Sequence, residues 1–208
     1  MWLRQPSAAC FTVGFHALSQ SQPIILATEH HTRLFCHPRD ADNPIYPHHL
    51  TKAAELHTVL STVPRQNAVW AALRAFWAAL TSYAGDLRYP LFWQGLESLF
   101  GSEEKTWKVT VRLCTRLSSF LSEDQATRQL NYSKAEACYD ARSKIIHGRW
   151  DVGTKIDQLM ADTEAIARTV MRHVLEKPGM LDIFISERRD DFLEALVQSS
   201  SLTHPTHS

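Results

Sequence analysis

The sequence carries no net charge: 22 Lys and Arg balance 22 Asp and Glu over 208 residues. Bulk attraction therefore cannot recruit a polyanion, and any contact with nucleic acid must be local. Locally the balance does shift, with Lys and Arg in excess over residues 103–149 and Asp and Glu in excess over 150–208. Long apolar runs are missing as well. No stretch approaches the roughly 20 apolar residues of a membrane helix, and the opening Met1-Trp2-Leu3-Arg4-Gln5-Pro6 lacks the apolar segment of a signal peptide. The expectation is a cytoplasmic protein with no membrane partner. Cys10, Cys36, Cys114 and Cys138 form no CxxC pair, and two of them fall at apolar helix positions, as reduced core cysteines do. His30-His31, Cys36-His37 and His48-His49 crowd together without any standard zinc spacing, so no metal and no cofactor are expected. Internal repeats and long low-complexity tracts are absent.

What is present is enough apolar residue, 44%, for one core with an appendage. Residues 9–36 hold short β-branched or aromatic runs, Phe11–Phe15, Pro23–Thr28 and Thr32–Cys36, which predict two or three small antiparallel strands. Residues 37–49, with Pro38, Pro44 and Pro47, read as a linker. From Leu50 the period becomes helical. Leu50, Ala53, Ala54, His57 and Leu60 predict a short helix ending before Pro64. Val69, Trp70, Leu73, Phe76, Trp77 and Leu80 form a wide apolar stripe that must be covered. A third helix over about 88–100 carries Phe92, Trp93, Leu96, Leu99 and Phe100, with Glu97 at the stripe's edge. Ser102 is the expected N-cap of a fourth, running to about Leu121, with Lys105, Lys108, Arg112 and Arg116 gathered opposite its apolar side. That basic stripe reads either as a solvated face or as an RNA backbone track. Residues 122–132 look like a loop. Val152 through Val174 mark a long helix ended by Pro178-Gly179, His57 and His173 read as structural, and Leu181–Val197 is predicted helical. The division is therefore 1–49, a small β-rich region and linker; 50–198, a helical domain; and 199–208, a disordered tail.

The sharpest chemical signal is Tyr139-Asp140-Ala141-Arg142-Ser143-Lys144-Ile145-Ile146-His147-Gly148. At about 100° per residue Ala135, Cys138, Tyr139, Ile145 and Ile146 share a helix face, with Arg142 in its middle. A guanidinium there needs a carboxylate, a carbonyl, a second subunit or a bound anion, and Glu97 is the expected carboxylate. Gly148 is the expected left-handed residue that ends the helix, which puts His147 at a helix end.

These residues resemble the HEPN superfamily, marked by an arginine followed by a histidine after four to six residues. The surrounding Tyr139-Asp140-x-Arg142-Ser143-Lys144-x-x-His147-Gly148, some forty residues after Leu96-Glu97-x-Leu99-Phe100, resembles the Apea-like branch over roughly residues 66–176. The resemblance implies a mostly α fold, an HEPN-type helical bundle here preceded by a small β element. It implies a metal-independent endoribonuclease in a toxin or antiviral defence system, dimeric through the motif helices, with Arg142 and His147 of each subunit in a composite cleft. An antitoxin or regulatory protein is a further implied partner.

The chemistry suits RNA because the ribose 2′-hydroxyl is the nucleophile and the protein need not supply one. Histidine titrates near neutrality and can take or give the proton, while arginine clamps the phosphate. Ser143, Lys144, Tyr139, Arg112 and Arg116 are the candidate substrate-binding residues. Each has a plainer reading: Tyr139 as core, Lys144 as solvated charge, and the Arg142 and His147 pair as an ion pair to Glu97 plus a helix cap. The competing functional reading is a non-catalytic RNA- or nucleotide-binding HEPN module or a helical dimerisation or regulatory subunit, and a third makes the β region a sensor or docking element.

Overall fold

Apolar residues recurring every three or four positions bury one side of a helix, and eight such helices account for most of the residues described by the computed structural model, which are 11–16, 24–30, 47–82, 85–101, 109–149 and 156–199. Two strands, β1 (Phe11–His16) and β2 (Ile24–His30), pair antiparallel with a register shift between Gly14 and Phe15. Residues 32–36 and most of the proline-rich stretch lie outside the described residues. Helix α1 spans Pro47–Ser61, so the last residues of the expected linker are already helical.

Helix α2 (Ala68–Thr81) starts where the Asn67 side chain accepts from the Trp70 N–H at 2.9 Å, an N-cap that satisfies one orphan donor. It packs along α3 (Gly85–Phe100). Helix α3 is the axis of the bundle, touching α2, α4, α5 and α6, and its Tyr89, Phe92, Trp93, Leu96, Leu99 and Phe100 are all fully buried. Against it α2 turns Val69, Ala72, Phe76 and Ala79 inward. The expectation that the whole α2 stripe is covered is corrected at Trp77, which is 62% exposed because α3 spans only part of that wide face.

Helix α4 (Val109–Leu121) buries Leu113, Cys114 and Leu117; Ser102, Lys105 and Lys108 lie outside the described residues. The expected loop at 122–132 is mostly helix instead, since α5 runs from Gln125 to Ile146. The Asp124 carboxylate caps it, accepting from the Thr127 N–H at 2.8 Å, and that bond holds the carboxyl below its ordinary pKa. The polar sequence concealed this turn because it is mostly solvent-facing, with Leu130 itself 68% exposed. Helix α6 (Ile156–Glu176) packs on α3 and α5. The C-terminal segment breaks into α7 (Met180–Phe184) and α8 (Arg188–Ser199). Phe100, Phe120 and Phe184 meet at ring separations of 5.3–5.8 Å and close that end of the core.

Candidate functional site

Helix α5 brings the motif to the bundle through its inner face. Ala135, Cys138 and Tyr139 are buried. The Tyr89 hydroxyl of α3 donates to the Cys138 carbonyl at 2.8 Å and accepts from Thr163 Oγ1 of α6 at 3.2 Å, which pins three helices at one point. Burial raises the pKa of both Tyr89 and Cys138. These groups are structural, buried and hydrogen-bonded within the core.

One turn further along α5, Arg142 reaches back to Glu97 of α3. Its Nη2 donates to Glu97 Oε2 at 3.3 Å and lies 3.1 Å from Oε1, while the Tyr139 hydroxyl donates to Oε1 at 2.8 Å. The guanidinium also sits 5.3 Å from the Tyr139 ring centre. The side chains of Arg142 and Glu97 are 26% and 28% exposed, so the pair is reached by solvent rather than sealed in the core. Glu97 engages a single nitrogen. Nε is buried without a hydrogen bond, and Nη1 has no partner among the described residues. The carboxylate therefore orients the guanidinium fork without filling it.

The apolar stripe around Arg142 is only partly covered: Ala135, Cys138 and Tyr139 are buried in the bundle, whereas Ile145 is half-buried and Ile146 is 48% exposed. One expectation is revised here. Tyr139 is 8% exposed and packs edge-on to Trp93 at 5.1 Å, so it cannot serve as a stacking platform for a base. Burial, reinforced by its bond to Glu97, pushes the Tyr139 phenol up to about 12. It is a fixed donor to Glu97.

The helix ends where the chain reverses hand. Gly148 has φ of 63°, its N–H donates to the Ile145 carbonyl at 3.0 Å, and the Arg149 N–H donates to the Lys144 carbonyl at 2.9 Å. This paired closure is a Schellman motif, with His147 at the C-cap. His147 is exposed, five residues beyond Arg142 on the same helix, with Lys144 exposed and Ser143 half-buried between them. Arg142, Ser143, Lys144 and His147 thus occupy the last turns of α5, with Glu97 and Tyr139 beneath.

Arg112 and Arg116 stand apart from that group. The expected exposed basic track is corrected: Arg116 is fully buried, donating to the Phe100 and Gly101 carbonyls at 3.0 and 3.1 Å and to Glu194 of α8 at 2.6 Å, with Asp190 at 3.6 Å. Arg112 donates to the same Glu194 oxygen at 2.7 Å. Burial works against the Glu194 carboxylate, but the bonds from the two arginines prevail and hold its pKa below the ordinary range. The reason is complementarity over distance, since arginines four apart on α4 face Asp190 and Glu194 four apart on α8. That matched pair of spacings is the signal from which the contact was legible.

Among the described residues no cluster of His, Cys, Asp and Glu could hold a metal ion, and no helix is long and apolar enough to cross a membrane. Cys114 and Cys138 are buried free thiols. His57 is exposed, and His173 packs edge-on to Phe120 at 5.8 Å, where burial lowers its pKa. No family model, curated protein or solved structure matches the chain.

Proposed function

We propose that the protein is a metal-independent endoribonuclease of the Apea-like HEPN kind, a small N-terminal β element followed by an HEPN-type helical bundle. The observation that carries this reading is the arrangement of Arg142: a guanidinium steadied from below by Glu97 and Tyr139, with Nη1 unused among the described residues, five residues before an exposed His147. A phosphate has the charge and the acceptor geometry for the unused edge of that fork. The same residues gave the resemblance in sequence.

In this reading a phosphodiester of single-stranded RNA lies on Arg142. The 2′-oxygen attacks the adjacent phosphorus, its proton leaves to an imidazole, and the bond from phosphorus to the 5′-oxygen breaks as that oxygen gains a proton. The products are a 2′,3′-cyclic phosphate and a 5′-hydroxyl. Arg142 stabilises the charge that grows on the phosphoryl oxygens. One imidazole cannot serve both sides of an in-line displacement, so a second His147 from a two-fold partner supplies the other proton transfer. Lys144 and Ser143, on the same turns, position the flanking backbone. The protein acts in the cytoplasm within a toxin or defence system, under an antitoxin or other regulator.

The test is incubation of the purified protein with a mixed RNA pool in EDTA, beside His147→Ala. Cyclic phosphate ends from the wild type alone support the assignment. Equal cleavage by the folded variant defeats it.

A second reading has its own observation. The Arg142 guanidinium already has a carboxylate and His147 already caps a helix, which is all that a non-catalytic RNA-binding or dimerisation module would require. It predicts binding without turnover, and an Arg142→Ala phenotype that tracks stability alone.

A further inference from the structure

Helix α2 presents to solvent a surface that the core does not use. Trp70, Arg74 and Trp77 follow one another at steps of four and three residues and so line one face. Trp77 is 62% exposed, Arg74 is exposed and Trp70 is half-buried. At the Trp70 end the surface dips into a cavity of about 550 Å³ between the end of α1 and the start of α2, with His57, Leu60, Val63 and Pro64 among its walls and Arg65 bringing the charge.

The cavity is built on fixed groups. The Trp70 indole N–H donates to the Val63 carbonyl at 3.0 Å, which locks the ring. The Asn67 amide donates to the Pro64 carbonyl, and Arg74 Nη1 donates to the Arg65 carbonyl at 3.4 Å, so the turn between the helices is tied from both sides. The hydroxyls of Ser61 and Thr62 each donate to a helix carbonyl at 2.7 Å and keep their lone pairs for a bound donor. The segment that forms this face carries side-chain charge of one sign. No Asp or Glu occurs between Glu55 and Asp86, whereas Arg65, Arg74 and His57 all do. The Arg65 guanidinium is exposed and makes no hydrogen bond or ion pair with the described residues.

An exposed indole and a half-buried one with Arg74 between them, beside a cavity whose lining has no acidic group, match a ligand made of planar rings on an anionic backbone. We propose that this face of α2, with the adjoining cavity, is an exosite for single-stranded RNA. Trp70 and Trp77 stack on unpaired bases, and Arg65 and Arg74 take the phosphates between them. Seven residues place the two indoles about 10 Å apart along the helix axis, at 1.5 Å per residue, which leaves room for more than one nucleotide. Stacking needs no particular base, so the site holds RNA without reading its sequence. The proposal takes its ligand from the ribonuclease reading but not its catalysis, because no residue of the exosite belongs to the Arg142 and His147 group.

The experiment measures binding of a fluorescein-labelled unstructured RNA decamer to the full chain in EDTA, with His147→Ala as background so that nothing is cut. Trp77→Ala should weaken binding about tenfold or more, the range for losing one base–aromatic stack, and Trp77→Phe should stay close to the parent. The double replacement Arg65→Glu and Arg74→Glu should weaken binding and flatten its salt dependence. Unchanged affinity in Trp77→Ala and in the double replacement, with both folded, overturns the proposal. So does displacement by free AMP at the concentrations at which the decamer itself competes, since that marks a mononucleotide pocket, and so does equal binding of duplex RNA, whose bases cannot stack on the indoles. Cleavage by the His147 form that persists when Trp77→Ala abolishes decamer binding leaves the catalytic reading intact. Strong Trp77-dependent binding without any cleavage strikes only the catalytic reading.

Discussion

Gly95 sits where α3 crosses α2, and replacing it with alanine sets two known effects against each other. Alanine is the better helix former by about 1 kcal/mol. The added Cβ, however, would fall 2.6 Å from Phe76 Cδ1 and 2.8 Å from Cζ, and closer still to Cε1. Phe76 is 1% exposed and lies 6.0 Å, ring centre to ring centre, from Phe92, so the ring has nowhere to swing. Overpacking of this kind costs about 1–3 kcal/mol, and with three ring atoms too near the upper part of that range applies. The net expectation is a loss of about 1–2 kcal/mol, or about 2–8 °C in melting temperature for a domain of this size. Urea unfolding of wild type, Gly95→Ala, Phe76→Leu and the double variant measures it. Phe76→Leu should cost stability alone yet rescue part of the alanine defect, with a coupling of about 1 kcal/mol. A Gly95→Ala protein more stable than wild type would refute the α2–α3 packing described above. The same crossing sets Glu97, two residues on, so a shifted α3 should also disturb Arg142.

Glu97→Gln should cost about 1–2 kcal/mol in urea, below the full value of a buried charged hydrogen bond because both side chains are a quarter exposed; it should also bring the Tyr139 phenol down from about 12, read by NMR titration, since the carboxylate is one of the causes that raise it. The Glu194 carboxyl is depressed from its ordinary 4.5, so the stability it contributes is full above that value and lost as pH falls through its folded pKa. Wild type and Glu194→Gln should therefore differ in melting temperature at about pH 7 and converge by about pH 3, and a constant gap would contradict the linkage. Gly148→Ala meets no atom within 4 Å, so its expected loss of about 1–2 kcal/mol is backbone strain at φ of 63° alone, measured by thermal unfolding.

Much of the bundle could be read from period and punctuation. Trp93, Leu96 and Phe100 announced α3, and Gly148 announced the end of α5, because each acts through neighbours within a few residues. Failures came where the deciding partner was remote or where no partner existed. Arg116 lies on the polar side of its own helix, and only α8, contacting it across the fold, makes that position interior. Trp77 repeats the apolar spacing of α2 faithfully, yet periodicity cannot say how much of a wide stripe a neighbouring helix will cover. The start of α5 was hidden for the opposite reason, since a solvated turn has no apolar rhythm and only the Asp124 and Thr127 bond marks it. At the candidate site, Glu97 was legible as a carboxylate facing Arg142, but the burial of Tyr139 against Trp93 depended on the angle between two helices.

The arginine latch beneath α8 also bears on the order in which the chain assembles. Neighbours in sequence, α2 with α3 and α4 with α5, close short loops and can pair early. Helix α8 must return across the whole bundle to meet α4, and until it does Arg116 keeps its water. Docking exchanges that hydration for two carboxylates and two carbonyls, a trade that nearly balances because desolvating charges offsets most of their attraction. Undocking is correspondingly mild, since water re-enters and no charge is stranded. Helix α8 packs on α4 and α7, so its release would leave the α3–α5 crossing under Arg142 in place.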